Sequence, residues 1–311
     1  MKFVSFQRKP DGVPSYGFLT PTGIVSVPAL LESTGYGLNT PQTLVEFIET
    51  HEVWMPRLQE VFHTHGKGFS DRVMALSAVD TFAPIPRMRR EVICLGLNYL
   101  DHIEQNARAT GASATPPTVP MFFAKPVTAV IGPNASIEWD PTVTQRLDYE
   151  IELAIVIGRR GKNIPKEKAW DHVFGYTLVN DISARDVQLR VSQFYQGKGF
   201  DTYCPIGPCI VSKDEIATPH NLQLTLRVNG ETRQQTSTAS MIFKIPDIVA
   251  QLSVGMMLEP GDIVTTATPG GCAYVESAPR FLKDGDIVEC EAEGIGILRN
   301  PVVKIQRRYI R

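Results

Sequence analysis

Residues 147–158 form an apolar stretch whose alternation predicts a β-strand with charged residues at its head. They read Leu-Asp-Tyr-Glu-Ile-Glu-Leu-Ala-Ile-Val-Ile-Gly, are rich in β-branched residues and end at Gly158. Because successive side chains of a strand point to opposite faces, Glu150 and Glu152 share one face. Two neighbouring carboxylates at the head of a buried strand repel each other, so a positive group should lie between them or they should face water.

A second apolar run adds a third carboxylate. Residues 173–180 predict another strand, and Asp181 follows its last residue. Three carboxylates with open positions suit a hard divalent cation such as Mg²⁺ or Mn²⁺. The same spacing fits a half-exposed strand end with two solvated glutamates and an aspartate that caps a helix, and the pattern leaves both interpretations open.

The pattern divides the chain into two predicted domains. Residues 1–86 predict a small N-terminal α/β domain: three short strands lie between residues 3 and 27, two amphipathic helices follow, and the proline-rich residues 82–86 are typical of a linker. Residues 87–311 predict the larger domain, which is mostly β after residue 200. Asn229 and Gly230 in that part predict a hairpin turn.

Residues 91–118 predict a lid. A strand is followed by a short helix, with Asn98 as its predicted N-cap, and then by a small, polar, proline-containing loop. The helix carries His102 and Glu104, which are candidates for acid–base chemistry. The alternative for His102 is a histidine on the helix surface.

Two further stretches could contact a ligand. Arg185 and Gln188 lie three residues apart in a predicted helix beyond Asp181, and therefore share a face. An arginine and an amide beside a metal would suit a substrate with a carboxylate, whereas the alternative is a surface helix with a lone arginine. Residues 265–271, Thr-Thr-Ala-Thr-Pro-Gly-Gly, predict a loop that lets a ligand approach the backbone amides.

Composition narrows the classes of function. The 311 residues are 43% hydrophobic with a formal net charge of −2, so a sizeable core is expected and a nucleic-acid or anionic membrane partner is not. Five cysteines without a C-x-x-C pattern argue against a disulfide framework or a zinc–thiolate site. The chain has no apolar run of about 20 residues and no signal-peptide pattern, so we expect a cytoplasmic protein, with an organelle as the alternative.

Five segments resemble, in order, the motifs of the fumarylacetoacetate hydrolase family. They are residues 96–102, 148–154, 180–186, 197–202 with 204–208, and 266–271. Any one of them is a weak signal, whereas all five in order are a strong one. The resemblance covers residues 90–303. The chain looks most like the branch of the family in which a small N-terminal domain precedes the core, the branch of fumarylacetoacetate hydrolase domain-containing protein 2.

The resemblance implies a fold and a set of site residues. The fold is α+β and predominantly β, with a mixed β-roll or β-sandwich core of the family's C-terminal-domain type, usually as a homodimer. The implied ligands of Mg²⁺ or Mn²⁺ are Glu150, Glu152 and Asp181. Lys198 is expected beside the metal, and a His–Glu dyad in the lid, here His102 and Glu104, is expected to polarise a water.

Two departures from the family pattern bear on activity. The lid glutamate commonly lies three residues after the histidine, where this chain has Gln105. Glutamine cannot act as a general base, so the departure puts hydrolysis in question. Ala267 replaces the glycine of the usual Thr-Gly-Thr-Pro, while Thr268 stays available for a substrate carboxylate. Tyr274 ends a Cys-Ala-Tyr segment in place of the family's more common Val-Gly, and we expect this change to alter the shape of the pocket.

Family substrates are small β-diketo or oxo acids, such as acylpyruvates, fumarylpyruvate and oxaloacetate. Our leading hypothesis is a metal-dependent hydrolase, as in aromatic catabolism, that cleaves a C–C bond of an acylpyruvate-type, fumarylpyruvate-like acid through an enolate. The alternatives are an oxaloacetate decarboxylase or tautomerase, a hydratase or isomerase of a ring-cleavage oxo acid, and a catalytically silent metal-binding paralogue. The reactions share the enolate, but hydrolysis also needs a base and a water.

Overall fold

The computed structural model describes residues 1–34, 40–65 and 72–306. Its helices are α1 (Val27–Ser33), α2 (Leu44–Glu49), α3 (His51–His65), α4 (Leu100–Thr110), α5 (Arg185–Gln188), α6 (Tyr195–Lys198) and α7 (Ile245–Leu252). The first nine strands are β1 (Lys2–Arg8), β2 (Ser15–Thr20), β3 (Gly23–Ser26), β4 (Val79–Thr81), β5 (Val92–Gly96), β6 (Met121–Lys125), β7 (Val130–Ile131), β8 (Ile137–Trp139) and β9 (Leu147–Asp148). The others are β10 (Ile151–Ile157), β11 (Val173–Asn180), β12 (Ser183–Ala184), β13 (Cys204–Ser212), β14 (Gln223–Val228), β15 (Glu231–Ser237), β16 (Ile263–Thr265), β17 (Ile287–Ala292) and β18 (Gly296–Lys304).

Two large sheets organise these strands. The first runs β3-β2-β1-β13-β11-β10-β16-β5-β6, with β4 paired to β1 and β7 paired to β13. The second runs β15-β14-β17-β18-β8, and β9 pairs separately with β12. The predicted class, α+β and predominantly β, is confirmed. No helix in the described part of the chain combines the length and the apolar character that a membrane crossing requires.

Strand β10 separates two hydrophobic cores, as its alternation predicts. Ile151, Leu153 and Ile155 belong to one core, whereas Ala154 and Val156 belong to the other. Both faces are therefore buried, and every residue of the strand is shielded from solvent. A strand buried on both sides cannot slip in register without moving its apolar side chains, so the residues at its head are held in fixed positions.

The N-terminal residues share the first sheet with the rest of the chain. The three predicted short strands are β1, β2 and β3, and β1 pairs antiparallel with β13, with Lys2 opposite Val211 and Phe3 opposite Ile210. Phe3 and Phe47 also pack in the same core as Phe174. The division at residues 86 and 87 stays a prediction, and hydrogen bonds of one sheet cross it.

The second sheet is anchored to α7 by a histidine. The hairpin predicted at Asn229 and Gly230 joins β14 to β15. Before β14, His220 Nε2 accepts the backbone N–H of Ile245, the first residue of α7, at 3.0 Å. Burial, reinforced by the charge of Lys244, lowers the pKa of His220. An imidazole that accepts this hydrogen bond must be neutral at Nε2.

We predict that protonation of His220 destabilises the fold. Its pKa is lowered in the folded protein, so the stabilisation is present above the usual value of 6.5 and is lost as the pH falls below it. Urea unfolding measured from about pH 8 to about pH 5 should show a fall in the free energy of unfolding that His220→Gln makes shallower. Equal slopes for the wild type and the variant would contradict this assignment.

Candidate active site

The pairing of β10 with β11 brings the three predicted carboxylates together. Ile151 lies opposite Asn180, and the backbone N–H of Asp181 donates to the carbonyl of Glu150 at 2.8 Å. One carboxylate oxygen from each of Glu150, Glu152 and Asp181 lies within 4.8 Å of the others. All three side chains are buried. The interpretation as a solvated strand end is therefore wrong.

Two buried lysines compensate this negative charge. Lys198, the last residue of α6, donates to Glu150 Oε2 at 2.7 Å and to Asp181 Oδ2 at 2.5 Å. Lys125, at the end of β6, is fully buried and donates to Asp181 Oδ1 at 2.5 Å and to the carbonyl of Ile182 at 3.0 Å. The sequence predicted Lys198 but missed Lys125, whose only signal is its place between an apolar strand and a proline.

The charges leave Glu150 and Glu152 in different electrostatic environments. Burial opposes ionisation of Glu150, but the charges of Arg185 and Lys198 outweigh it and hold the pKa of Glu150 below its usual range. Burial, together with the negative charges of Asp181 and Glu150, raises the pKa of Glu152 well above its usual range. Lys198 stays an ammonium because Asp181 and Glu150 overcome the effect of its burial and raise its pKa.

The donor set fits a hard divalent cation. All ligand candidates are carboxylate oxygens, which Mg²⁺ and Mn²⁺ prefer. Glu152 Oε2 is buried and has no hydrogen-bond partner in the described structure, so one oxygen of the set still lacks a positive group. A cation held by Glu150, Glu152 and Asp181 would supply that missing charge. The residues present can therefore bind a divalent metal.

Arg185 is fixed by three acceptors rather than being open to solvent. Its Nε donates to Asp148 Oδ2 at 2.8 Å, its Nη2 to Glu150 Oε1 at 2.5 Å and its Nη1 to Gln188 Oε1 at 2.9 Å. The pairing of β9 with β12, in which Ser183 lies opposite Asp148, places this arginine beside Asp148. Because Arg185 uses the carbonyl oxygen of Gln188, the NH₂ group of that amide is left as a donor.

Asp148 and Tyr274 hold the loop that follows β16 against Arg185. Asp148 Oδ1 accepts the backbone N–H of Ala273 at 2.8 Å, and its Oδ2 accepts that of Tyr274 at 3.2 Å. The Arg185 guanidinium carbon lies 4.1 Å from the centre of the Tyr274 ring. The sequence named Tyr274 but not Asp148, although Asp148 belongs to the quoted Asp-Tyr-Glu motif.

Gln234 is a buried link between the second sheet and the site. From β15 it accepts the backbone N–H of Ile151 at 3.0 Å and donates to Thr268 Oγ1 at 2.8 Å and to the carbonyl of Pro269 at 2.9 Å. Thr268 Oγ1 in turn donates to the carbonyl of Ile151 at 3.0 Å. The hydroxyl proton of Thr268 is therefore used by the backbone in this structure, and because Thr268 lines the cavity its contact with a substrate carboxylate stays a prediction.

Helix α4 is fastened over the site. Three hydrogen bonds tie it to the loop after β16: Gly270 N to Asp101 Oδ2 (3.1 Å), Gly271 N to Gln105 Oε1 (2.7 Å) and Tyr274 Oη to Asn106 Oδ1 (3.0 Å). The predicted N-cap, Asn98, is wrong, because Tyr99 is the N-cap. The Asn98 amide instead donates to the carbonyls of Phe243 (3.0 Å) and Thr266 (3.1 Å).

The lid helix brings His102 to the site but not Glu104. A helix turns by 100° per residue, so a residue two positions after His102 points about 200° away from it. Accordingly His102 is buried and lines the cavity, whereas Glu104 is exposed and does not line it. Gln105, three positions on, faces the loop and has its carbonyl oxygen on Gly271.

These groups surround a cavity of about 250 Å³. Its lining includes His102, Glu150, Glu152, Arg185, Gln188, Lys198, Thr268 and Tyr274, so it brings together the predicted site residues other than Glu104 and Asp181. Burial, the largest effect, lowers the pKa of His102, which keeps its imidazole neutral. Cys272 Sγ lies 3.9 Å from His102 Nδ1 and 3.7 Å from Glu150 Oε1. The cavity therefore combines carboxylates and cationic side chains with a neutral imidazole.

Known proteins are similar to this chain over most of its length. Oxaloacetate tautomerase YisK of Bacillus subtilis (strain 168) is 47% identical over 228 residues, which are 73% of this chain and 74% of that protein. The human protein named Oxaloacetate tautomerase FAHD2A, mitochondrial, is 36% identical over 306 residues, 97% of this chain and 92% of that protein. The corresponding Xenopus laevis protein, Oxaloacetate tautomerase fahd2, mitochondrial, is 37% identical over 97% of this chain and 90% of its own.

Solved structures agree in fold. The fumarylacetoacetate hydrolase (EaFAH) from psychrophilic Exiguobacterium antarcticum superposes with a TM-score of 0.78 at 34% identity, over 98% of this chain and all of that chain. A 2-hydroxyhepta-2,4-diene-1,7-dioate isomerase from Mycobacterium marinum gives a TM-score of 0.71 at 31% identity, over 99% of this chain and all of that one. Residues 91–303 match the family model described as Fumarylacetoacetate (FAA) hydrolase C-terminal. The chain belongs to the fumarylacetoacetate hydrolase family, in the branch of the domain-containing protein 2 relatives.

Proposed function

We propose that this enzyme catalyses the keto–enol tautomerisation of oxaloacetate. The observation that carries the proposal is the composition of the lid helix, which offers the cavity a histidine but no carboxylate. The names of the relatives support it, since proteins similar over nearly the whole chain are called oxaloacetate tautomerases. Both observations favour the first alternative from the sequence, an oxaloacetate decarboxylase or tautomerase, over our leading hypothesis of acylpyruvate hydrolysis.

Tautomerisation requires fewer catalytic groups than hydrolysis. One proton leaves C3 of the oxo acid and one proton is gained by the oxygen on C2, and no water has to be activated. Hydrolysis needs in addition a base that directs water to the distal carbonyl. Glu104 is exposed on the far side of α4, and Gln105 carries no titratable proton. The described lid helix therefore suits proton transfer better than water attack.

The charged side of the cavity can stabilise the enolate. Lys198 stays protonated beside Glu150 and Asp181, so its ammonium would stabilise negative charge that develops on the C2 oxygen. A divalent cation held by Glu150, Glu152 and Asp181 would add Lewis-acid stabilisation of the same charge. Because these groups are already fixed by hydrogen bonds, little reorganisation is needed during the reaction.

His102 is the proposed proton carrier. Its imidazole is neutral because burial lowers its pKa, and it lines the same cavity as the charged groups. A neutral imidazole can accept a proton at one nitrogen and return it to another atom of the substrate. Cys272 Sγ lies 3.9 Å from Nδ1, so we assign the proton transfer to Nε2.

Gln188 is the proposed donor to a substrate carboxylate. Arg185 donates to its Oε1 at 2.9 Å and thereby fixes the orientation of the amide. The NH₂ group of Gln188 is then free to donate into the cavity that this residue lines. Arg185 gives three of its five N–H groups to Asp148, Glu150 and Gln188, so its proposed role is first to orient Gln188, and its two other N–H groups can also donate into the cavity that it lines.

Three further predictions from the sequence stay predictions. A homodimer is expected from the family resemblance, with a small oxo acid as the ligand and no nucleic-acid or membrane partner. The cytoplasm is the compartment predicted from the sequence. The mitochondrial names of the vertebrate relatives support the organellar alternative.

We predict that Glu152→Ala weakens metal binding and abolishes turnover. The substitution removes one of three ligands, so calorimetry should show Mg²⁺ affinity weakened by at least about tenfold. Ultraviolet absorbance should show no enzymatic change in the enol band of oxaloacetate. Glu138→Ala, which removes an exposed glutamate on β8 of the other sheet, should leave both measurements unchanged.

Either of two results would contradict this account. Undiminished Mg²⁺ affinity in Glu152→Ala would remove the metal site from these carboxylates. A wild-type protein that binds Mg²⁺ but changes no oxo acid would favour the catalytically silent paralogue. The thermal unfolding midpoint of each variant shows whether loss of function reflects loss of the fold.

We predict that Gln105→Glu adds hydrolysis of acetylpyruvate. A carboxylate at this position keeps the acceptor for Gly271 N–H and supplies a base on the face of α4 that carries His102. Pyruvate release should exceed that of the wild type by about 100-fold or more, the usual contribution of a positioned base. Gln105→Leu is the matched control, because it removes the acceptor without adding a base.

The activity of the wild-type protein also tests whether the lid helix lacks a base for hydrolysis. Efficient acetylpyruvate hydrolysis by the wild type, lost in Glu104→Ala, would restore our leading sequence hypothesis. It would require Glu104 to reach the cavity by a movement of α4.

A further inference from the structure

Two residues that line the cavity have an unfavourable backbone conformation. Leu97 has a φ angle of 54° and Ala267 one of 68°, both in the left-handed region. Leu97 directly follows β5, and Ala267 follows β16 by two positions. The two strands are parallel neighbours, with Val264 opposite Ile93. The unfavourable conformations therefore lie side by side, where two strands end at the cavity.

The residue types make these positions unusual. A side chain in the left-handed region brings Cβ close to the carbonyl oxygen, whereas glycine adopts it freely and asparagine tolerates it. The other non-glycine residues with positive φ in the described chain are Asn134, Asn163, Thr202 and Asn229, and none of them lines the cavity. An aliphatic residue in such a conformation persists where its surroundings enforce it, often at functional sites.

The neighbours of Ala267 enforce its conformation. The hydroxyl of Thr266 donates to the carbonyl of Leu153 at 2.8 Å, and that of Thr268 donates to the carbonyl of Ile151 at 3.0 Å. Both residues are buried. Ala267 is thus held between two threonines that are fastened to β10. Glycine would adopt this backbone conformation with less strain, so we expect the methyl group of Ala267 to have a function.

The lining of the cavity suggests what that function is. Its charged side is formed by Glu150, Glu152 and Lys198, and Leu97 and Ala267 belong to its aliphatic lining. The charged side would hold the 2-oxo acid group, which all candidate substrates share. Leu97 and Ala267 line the same cavity beside this charged side, so their side chains would limit the room for what extends beyond C3, which is the part in which these substrates differ.

We propose that Leu97 and Ala267 determine specificity, by limiting the cavity to 2-oxo acids with a short distal group such as a carboxylate. Acids with a bulky apolar group beyond C4 would collide with this wall. The inference rests on the proposed function, since it takes the ligand to be a 2-oxo acid. It goes beyond that function by naming the side chains that select among such acids.

The test compares two probes on Mg²⁺-loaded protein by calorimetry. Oxalate represents the 2-oxo acid group alone, and benzoylpyruvate adds a phenyl group beyond C4. Ala267→Gly should tighten benzoylpyruvate binding by about tenfold, the effect of one methyl group in a fitted pocket, and leave oxalate binding unchanged. Leu97→Ala should act in the same direction, so the test does not depend on the folding of one variant.

Asn134→Gly is the matched control. It replaces a residue with a φ angle of 63°, exposed and away from the cavity, and so changes the backbone preference without changing the site. Its ratio of benzoylpyruvate to oxalate affinity should equal that of the wild type.

The outcomes separate this inference from the function on which it rests. An unchanged affinity ratio in both folded cavity variants, with oxalate still bound and oxaloacetate still tautomerised, would overturn the specificity role alone. A wild-type protein that binds neither probe and turns over no oxaloacetate would overturn the proposed function and the inference with it.

Discussion

Compensation of buried charge is the constraint on which this site depends. Four carboxylates and three cations share one buried cluster: Asp148, Glu150, Glu152, Asp181, Lys125, Arg185 and Lys198. Removing a single ion from water costs several kcal/mol, and this is offset only where partners and hydrogen bonds are well placed. Glu150 and Asp181 each have two cationic partners. Glu152 has none within salt-bridge distance in the described structure, which is why the cluster can accept a further positive charge.

The fold supplies the rigidity that this compensation requires. Strand β10 is packed between two cores, so Glu150 and Glu152 emerge from a segment that cannot shift. Gln234 and Asn98 are buried amides that join separate parts of the chain to the loop after β16. Each satisfies backbone groups that would otherwise be buried without partners. The proposed catalytic groups are therefore held in place by residues to which we assign no direct part in the chemistry.

The sequence predicted the parts of the site that follow from local geometry. The two-residue period of a strand placed Glu150 and Glu152 on one face, and the end of the next strand placed Asp181 beside them. It could not predict Lys125 or Gln234, because their positions depend on the pairing of distant strands. Asn98 had an ordinary capping sequence, but a tertiary contact competed successfully for its amide.

The prediction for Glu104 differs from these cases, because it could have been corrected from the sequence. The period of a helix places residues two positions apart on opposite sides, whereas positions three and four apart share a face. His102 and Asn106 satisfy that rule and line the cavity, and Gln105 accepts the backbone N–H of Gly271 on the adjoining loop. The family resemblance drew attention to a carboxylate near the expected position, and helix geometry excludes it.

Exchange of the C3 protons of oxaloacetate in heavy water distinguishes a tautomerase from a hydrolase or a decarboxylase. Proton magnetic resonance would follow the loss of the C3 signal with Mg²⁺-loaded enzyme, above the spontaneous rate. For a tautomerase we expect rapid enzymatic exchange without release of pyruvate, because the enolate is formed and then reprotonated. Exchange no faster than in the absence of enzyme, or pyruvate formed in step with substrate loss, would contradict the proposed function.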